Sequence, residues 1–382
     1  MKIFGLSHFL PFLILTIFTI SLVSGCQEPK DNSQSFLTIG QFSIETLEGG
    51  VKLLRDGVGR RFLLVPRGKP IPENPSGIPI IRTPVERVVA YRYFDVCTLK
   101  ALGVLDTLVG VTIPSDQWHT QEMRRRLKKG LTKYVGRSGA VDYELIKRLH
   151  PQLVLTWDVS SISMFDSLGI PAVVTTTPVA MCLSARMRFV EFMAPFFNKE
   201  DEAALFFQRV KKALQDIRSR TALAGFKPKV MWGDIYEKRV LVEPGNSWIG
   251  QLVALVNSDY LFEDVYGASC IEINLERFLY SGKDADIYFT YRTPESGASS
   301  KEAIKALNPL ISKIKPLGPD GQVYAPLADF NERQDRLDEI FREIAAILHP
   351  DLYPGHSLKF FRRLPEREPF KGQGDTQREG QR

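Results

Sequence analysis

The sequence predicts an α/β fold in which two lobes, each built on a parallel sheet, are bridged by one long helix and preceded by a small antiparallel β segment. Three patterns predict it. Short continuous apolar strands alternate with helices in both halves of the chain, as in parallel sheets that are covered on both faces. Residues 187–223 separate the halves with helical spacing. Residues 36–66 alternate apolar and polar positions, which is typical of antiparallel strands.

Residues 1–25 are expected to be a signal peptide. Lys2 is followed by the apolar stretch 9–22 and then by the small pair Ser24-Gly25. Because this pair stands directly before Cys26, the segment resembles a bacterial lipobox, which implies a lipidated Cys26 and a polar tether over 26–35. The alternative is an uncleaved transmembrane anchor, although the apolar run is shorter than the ~20 residues that span a bilayer comfortably.

Hydrophobic periodicity, interrupted by Gly and Pro residues, divides the rest of the chain into predicted elements. The N-terminal β extension covers 36–84, with turn signals at Gly49-Gly50 and Asp56-Gly57 and a proline-rich extended segment over 70–84. The N-terminal α/β lobe covers 85–190, with strands expected at 88–90, 108–112, 153–156 and 172–175.

The second half repeats this organisation after the bridge. The connecting helix is expected over 191–225, where Pro195 interrupts the pattern and Asn198 can cap a new helix. The C-terminal α/β lobe covers 226–350, with strands expected at 230–232, 287–289 and 322–327. Residues 351–382 are charged and rich in Gly, Pro and Gln, which predicts a disordered tail.

Composition argues against several classes of function. Charged residues make up 25% and hydrophobic residues 44%, with a modest net charge of +6. The one dense basic run, 124–129, is expected to be the solvated face of a helix, so no nucleic acid partner is predicted. Cys97, Cys182 and Cys270 are too widely spaced for a zinc knuckle or a disulfide framework. Cys97 is expected to be a buried thiol, and one disulfide among the three stays open.

The two halves share a sequence pattern. In the first half, Glu144 opens a short helix that is followed by a polar turn, an apolar strand and Trp157. In the second half, Glu276 opens the helix, and the strand ends at Tyr291. One such phrase would be weak, but its occurrence once in each half points to two similar lobes.

The order and spacing of several phrases resemble the helical-backbone, or class III, substrate-binding proteins of ABC importers. These phrases are Arg87-Val88-Val89, Leu102-Gly103 followed by residues 108–111, residues 144–155, Pro244-Gly245-Asn246-Ser247-Trp248 and Asp284-Ala285-Asp286-Ile287. The family includes binders of cobalamin, haem and ferric siderophores. The resemblance implies an exported monomer that holds a metal chelate between its lobes with little hinge motion. It also implies that an ABC permease and its ATPase are partners, and that the lipoprotein is anchored in the periplasm or on the outer face of the cytoplasmic membrane.

The same resemblance implies how the permease is recognised. A glutamate on each lobe docks into arginine pockets of the permease in this family, and these glutamates match Glu144 and Glu276. The alternative is that both are acidic residues favoured by the dipole at a helix N-terminus. The chain departs from the family in carrying residues 36–84, and no signature names one ligand.

Ligands of open parallel sheets bind beyond the carboxyl ends of the strands. Aromatic side chains there offer flat apolar surface to a macrocycle or catecholate, and arginines can pair with its anionic groups. The predicted ligand-binding residues are Tyr91, Arg92, Tyr93, Arg137, Trp157, Trp232, Tyr236, Trp248, Tyr291 and Arg292. Tyr91, Trp157 and Tyr291 could instead cap the sheet edge, and Trp248 could be a core residue.

No protein metal site, cofactor or catalytic residue is predicted. His119, His150, His349 and His356 are placed too far apart to converge on a bare metal ion, although Tyr91 or His119 stays open as an axial ligand of a bound chelate. The chain lacks a nucleophile elbow, a phosphate loop and a paired-histidine zinc motif. The alternatives are a chelatase-like enzyme for tetrapyrroles, with Asp234 and Glu243 as acid and base, and an exported sensing module.

Overall fold

The computed structural model describes residues 36–368 except 75, 237 and 238. Its first unit is a five-stranded sheet of β1 (Phe36–Ile39), β2 (Phe42–Thr46), β3 (Lys52–Arg55), β4 (Arg61–Pro66) and β5 (Ile80–Thr83). The first four strands form the antiparallel meander that the sequence predicts. The proline-rich segment is not only a crossing, because its last residues form β5, which pairs with β4 in parallel.

The N-terminal sheet is fastened to the edge of the first lobe by a tight turn. The buried carboxylate of Asp56 accepts a hydrogen bond from the backbone N–H of Val174 at 3.0 Å, and Gly57 N–H donates to the Val174 carbonyl at 3.0 Å. A Cβ at position 57 would lie 1.8 Å from the Thr176 carbonyl oxygen. This position therefore requires glycine, because the two backbones meet there.

The first lobe contains a parallel sheet with the strand order β12-β11-β6-β7-β8. The predicted strands all form, and the lobe also contains a short hairpin of β9 and β10. Its elements are β6 (Val88–Ala90), α1 (Tyr93–Ala101), β7 (Leu108–Val111), α2 (Gln121–Lys128), β8 (Lys133–Tyr134), β9 (Gly136–Arg137), β10 (Ala140–Val141), α3 (Tyr143–Arg148), β11 (Leu153–Thr156), α4 (Ile162–Ser167) and β12 (Ala172–Val174).

The bridge consists of α5 (Leu183–Met193), a 3-10 turn over Ala194–Phe196 and α6 (Glu200–Thr221). The interruption expected at Pro195 is present, and a new helix follows Asn198, which adopts a left-handed φ of 56°. The long helix therefore begins at Glu200 rather than at 191, and its N-cap residue is Lys199 rather than Asn198. The 22-residue α6 buries one face, including Ala203, Phe206 and Val210, against the C-terminal helix α10 (Leu337–Leu348). The long helix of the bridge is therefore α6, which follows α5 and the 3-10 turn.

The second lobe contains a seven-stranded mixed sheet. Its strands β13, β15, β17 and β18 pair in parallel, whereas β14, β16 and β19 are antiparallel, so the expectation of a purely parallel sheet holds only for its centre. The elements are β13 (Lys229–Tyr236), β14 (Arg239–Val242), α7 (Trp248–Leu255), β15 (Asp259–Tyr260), β16 (Ile271–Ile273), α8 (Leu275–Gly282), β17 (Ile287–Phe289), α9 (Lys301–Leu307), β18 (Gln322–Pro326), α10 and β19 (Phe361–Arg363).

The expectation of a disordered tail was wrong for residues 351–368. Strand β19 pairs with β18, and Phe360 and Phe361 are almost fully buried. The carboxylate of Glu343 accepts hydrogen bonds from the backbone N–H groups of Lys359, Phe360 and Phe361 at 2.6 to 2.8 Å. These local partners outweigh the polar composition on which the expectation was based. The rest of the predicted tail, 369–382, lies outside the described residues.

The basic run and the cysteines test further expectations from the sequence. Arg126, a member of the basic run, is buried and pairs with Asp106 at 2.6 Å, so the run is not entirely a solvated face. Cys97 is buried as expected. Because Cys97 and Cys270 are free thiols, no two of the three cysteines considered above form a disulfide with each other.

The predicted signal peptide, Cys26 and tether lie outside the described residues. Within residues 36–368, apart from the three that are left out, no helix is long and apolar enough to cross a membrane.

Candidate functional site

A cavity of about 280 Å³ opens beside the strand ends of the second lobe. It brings together three of the predicted residues, Trp232, Trp248 and Tyr291. Trp232 is almost fully buried and stacks on Phe289 with ring centroids 4.2 Å apart, so it forms the floor rather than a free wall. The cavity is also lined by Arg186, Glu243, Ile249, Thr290, Thr293, Pro326, Leu327, Ala328, Phe330, Asn331 and Gln334.

Glu243 brings a buried acid to this cavity. It follows β14 and is held by a backbone hydrogen bond from its N–H to the Trp232 carbonyl at 3.1 Å. Burial raises the pKa of the Glu243 carboxyl, and the guanidinium of Arg186 partly opposes this rise. The thiol of Cys270 lies 3.7 Å from Glu243 Oε1, and burial raises its pKa to about 11. Burial therefore disfavours the charged forms of both groups.

Tyr236 and Arg292 come together as predicted, but the arginine is engaged inside the protein. Its guanidinium carbon lies 4.2 Å from the centroid of the Tyr236 ring, and its Nε lies 3.3 Å from Asp234 Oδ2. Arg292 Nη2 also donates to the Ile235 carbonyl at 2.8 Å. Asp234 is buried and accepts a hydrogen bond from Thr290 Oγ1 as well. Because Asp234 is fully occupied, it is unsuited to serve as the acid or base of the alternative enzyme.

Arg92 and Tyr93 lie in the first lobe between β6 and the start of α1. Arg92 Nη2 pairs with the buried Asp95 at 2.9 Å and donates to the Thr175 carbonyl at 2.6 Å. Tyr93 packs edge-on against Trp118 with ring centroids 4.8 Å apart. Both side chains are half-buried, and neither lines the cavity.

The remaining predicted residues do not join this cavity. Tyr91 is 3% exposed and lies in the core beneath α3 and α4, where its ring contacts Phe165; this placement fits the sheet-packing alternative and removes Tyr91 as an axial ligand. Arg137 is exposed in the β9–β10 hairpin. Trp157 is 46% exposed at the end of β11 and has no aromatic partner within the part of the chain that the structure describes. His119 is exposed.

Sequence reasoning missed Arg186, which contacts aromatic rings of both lobes. It lies on α5, its guanidinium carbon is 3.5 Å from the centroid of the Phe94 ring, and it is 5.4 Å from that of Trp248. The carbon of the Arg92 guanidinium lies 5.6 Å from the same Phe94 ring. The signal was an arginine between the apolar residues Ala185 and Met187, where a charge among buried helical positions needs a reason.

The site provides no ligand set for a bare metal ion. Among residues 36–368, with the stated gaps, no three His, Cys, Asp or Glu side chains converge closely enough to hold one. The chemistry of the cavity is instead that of aromatic faces, arginines and neutral hydrogen-bonding groups, which suits an organic ligand.

Glu144 and Glu276 occupy equivalent positions on the two lobes. Each is the second residue of its helix, α3 or α8, after an N-cap side chain, Asp142 or Asn274, that accepts a hydrogen bond from the third residue of that helix. Both glutamates are exposed, and neither forms an ion pair with another described residue. Their charges are therefore free to meet a partner, although the helix dipole also stabilises them.

Comparisons with known proteins agree with this architecture. The family model for periplasmic binding proteins matches residues 88–325, more than half of the chain. An uncharacterized lipoprotein of Methanocaldococcus jannaschii is 25% identical over 81% of this chain and 77% of its own length. A periplasmic haem-binding protein of Pseudomonas aeruginosa superposes with a TM-score of 0.59 at 16% identity, over 74% of this chain and 99% of that one. A periplasmic vitamin B12-binding protein of Vibrio cholerae has a TM-score of 0.50 at 17% identity, over 69% and 97%.

Proposed function

Because this chain belongs to the periplasmic binding protein family, we propose that it captures a metal chelate between its two lobes and delivers it to the permease of an ABC importer. The observation that carries the proposal is the cavity in which Trp248, Tyr291 and Arg186 meet at the strand ends. Flat aromatic surface beside a cation suits a ligand with a broad apolar face and an anionic edge.

The proposed ligand class is a ferric siderophore, haem or cobalamin. Such a ligand carries its own metal ligands, which is compatible with a cavity that lacks a cluster of metal-binding side chains. The similarity to a haem-binding and a vitamin B12-binding protein supports the choice of class. The proposed ligand contacts are the cavity residues together with Arg92, Tyr93, Tyr236 and Arg292.

Delivery is proposed to use the free carboxylates of Glu144 and Glu276. One exposed ion pair contributes only about 0.2–1 kcal/mol, but two held at a fixed separation on one body bind together and set orientation. Such a contact is weak enough to release the protein after the ligand has been transferred.

The proposed location is outside the cytoplasm, with lipidated Cys26 anchoring the body to a membrane. The relative from M. jannaschii is named a lipoprotein, which supports this anchoring. Several acyl chains, each adding about 0.8 kcal/mol per buried methylene, would hold the protein near its permease.

Tryptophan fluorescence tests the proposed capture, because Trp232 and Trp248 line the cavity. The purified protein is titrated in detergent against haem, cobalamin and a panel of ferric siderophores. We expect saturable quenching by at least one of them at one ligand per chain. Absence of a saturable response to every member of the panel would contradict the proposed ligand class.

A further inference from the structure

We infer that Arg186 recognises an anionic oxygen group, such as a carboxylate, at the edge of the bound ligand. The inference rests on the proposed function and names the side chain that selects ligands within it. It assigns to α5, the first helix of the bridge, a role in ligand choice that neither sheet edge supplies.

Charge pairing singles out Arg186 among the arginines near the cavity. Arg92 is paired with Asp95 at 2.9 Å, and Arg292 is paired with Asp234 at 3.3 Å. Arg186 has no carboxylate oxygen of a described residue within 4.0 Å. Its positive charge is therefore the one in this group that is still available to a ligand.

The surroundings of Arg186 hold its guanidinium plane in place. The Phe94 ring lies 3.5 Å from the guanidinium carbon, and the Trp248 ring lies at 5.4 Å. Nη2 donates to Gln334 Oε1 at 2.7 Å, while Nε is buried and has no hydrogen-bond partner among the described residues. A planar donor fixed between aromatic rings loses little side-chain entropy when it binds an oxyanion.

The electrostatic environment favours the arrival of an anion. Burial, and secondly the repulsion from Arg92, lower the pKa of Arg186 to about 9, which still leaves the side chain charged at neutral pH. Glu243 and Asp95 partly oppose this lowering, but neither carboxylate forms an ion pair with Arg186. A ligand carboxylate would satisfy this unpaired cation in a partly desolvated site, where charge-assisted hydrogen bonds are strong.

The test compares charged and neutral forms of the same type of probe. The pairs are haem and its dimethyl ester, dicyanocobyrinic acid and its heptamethyl ester, and a trianionic ferric tris-catecholate and a neutral ferric tris-hydroxamate. Dissociation constants are measured for the wild-type protein, Arg186→Gln, Arg186→Lys and the control Arg188→Gln. Arg188 lies on the same helix but pairs with Glu191 and contacts Phe207, away from the cavity.

We expect the wild type to prefer the charged member of the pair that it binds. Arg186→Gln should weaken binding of that member by about 10- to 100-fold and change binding of the neutral member by less than about 2-fold. Arg186→Lys should recover part of the preference, and Arg188→Gln should leave it intact.

The ratio of the two dissociation constants separates recognition from a merely structural role. Equal losses for both members, or an unchanged ratio in Arg186→Gln, would overturn the inference. A wild type that binds neutral members as tightly as charged ones would also overturn it, while leaving the proposed function standing. A wild type that binds no probe would contradict the proposed function, and the inference would fall with it.

Discussion

The carboxylate of Glu332 accepts a hydrogen bond from the backbone N–H of Thr120 at 2.9 Å and so ties the second lobe to the first. The same carboxylate accepts from the His119 N–H at 2.6 Å, and Glu332 is 3% exposed. Beside it, Lys100 of α1 pairs with Asp335 at 3.3 Å. These contacts hold the lobes together next to the cavity, which is consistent with small hinge motion.

Replacing Glu332 should therefore destabilise the whole protein. In Glu332→Ala, the N–H groups of His119 and Thr120, directly before α2, lose their buried acceptor, so the free energy of unfolding should fall by about 2–4 kcal/mol. Urea denaturation followed by circular dichroism measures the change. The exposed Glu295→Ala serves as the control and should change stability by less than about 0.5 kcal/mol. A similarly small change in Glu332→Ala would show that the contact does not stabilise the fold.

The C-terminal strand gives a second prediction. A chain that ends after residue 358 loses β19, the buried rings of Phe360 and Phe361, and the partners of the buried Glu343. We expect the midpoint of thermal unfolding to fall by at least about 10 °C, because burial of one aromatic side chain alone contributes roughly 2–3 kcal/mol. The reference is a chain that ends after residue 368, which keeps β19 and both rings. Equal midpoints for the two truncations would contradict the role assigned to β19.

The buried thiol of Cys97 should make the protein less stable at alkaline pH. Burial raises the pKa of its thiol to about 12, above the ordinary value near 9 that the unfolded chain has. Between these values the unfolded state has lost the proton and the folded state has kept it, so stability is present below pH 9 and is lost as pH rises.

In Cys97→Ala this contribution is removed. The free energy of unfolding is measured for wild type and variant by denaturation at pH 8 and pH 10.5. Between these pH values the wild type should lose stability relative to the variant, by at most about 1.4 kcal/mol per pH unit above 9. The pair measured at pH 8 is the baseline that accounts for lost packing. A difference that stays constant over this range would mean that the thiol does not titrate as described.

Charge reversal tests the proposed docking glutamates. In Glu144→Lys combined with Glu276→Lys, two attractive contacts with a basic permease surface become repulsive, so ligand uptake should fall to background. Ligand affinity of the purified variant should not change, because neither residue lines the cavity. Glu122→Lys combined with Glu295→Lys is the control with the same change of net charge. Normal uptake by the first pair, or loss of uptake by the control pair, would contradict the assignment.

The overall fold could be predicted because hydrophobic periodicity is a local signal. Apolar runs such as 153–156 and the helical spacing of 200–221 specify strand and helix without reference to partners. The errors occurred where partners decide the structure. The antiparallel strand β19 forms because it pairs with the edge of β18 and because Glu343 accepts hydrogen bonds from its backbone. Neither partner can be inferred from the polar composition of the segment.

The site could be predicted only in part. The strand-end rule found Trp248 and Tyr291, since both lie next to secondary-structure ends that the sequence shows. It could not find that Arg92 and Arg292 are paired internally, because Asp95 and Asp234 become partners through folded geometry. It also misplaced Tyr91, whose side chain turns to the helix-covered face of the sheet. Arg186 was missed because it lies on a helix.

The location of a bound metal tests the central claim most directly. Crystals of the protein with the chelate that it binds are measured at the absorption edge of the metal, and the anomalous difference map gives the metal position. We predict one peak, in the cavity bordered by Arg186, Trp248 and Tyr291. A peak on an outer face of either lobe, with this cavity empty, would contradict the account.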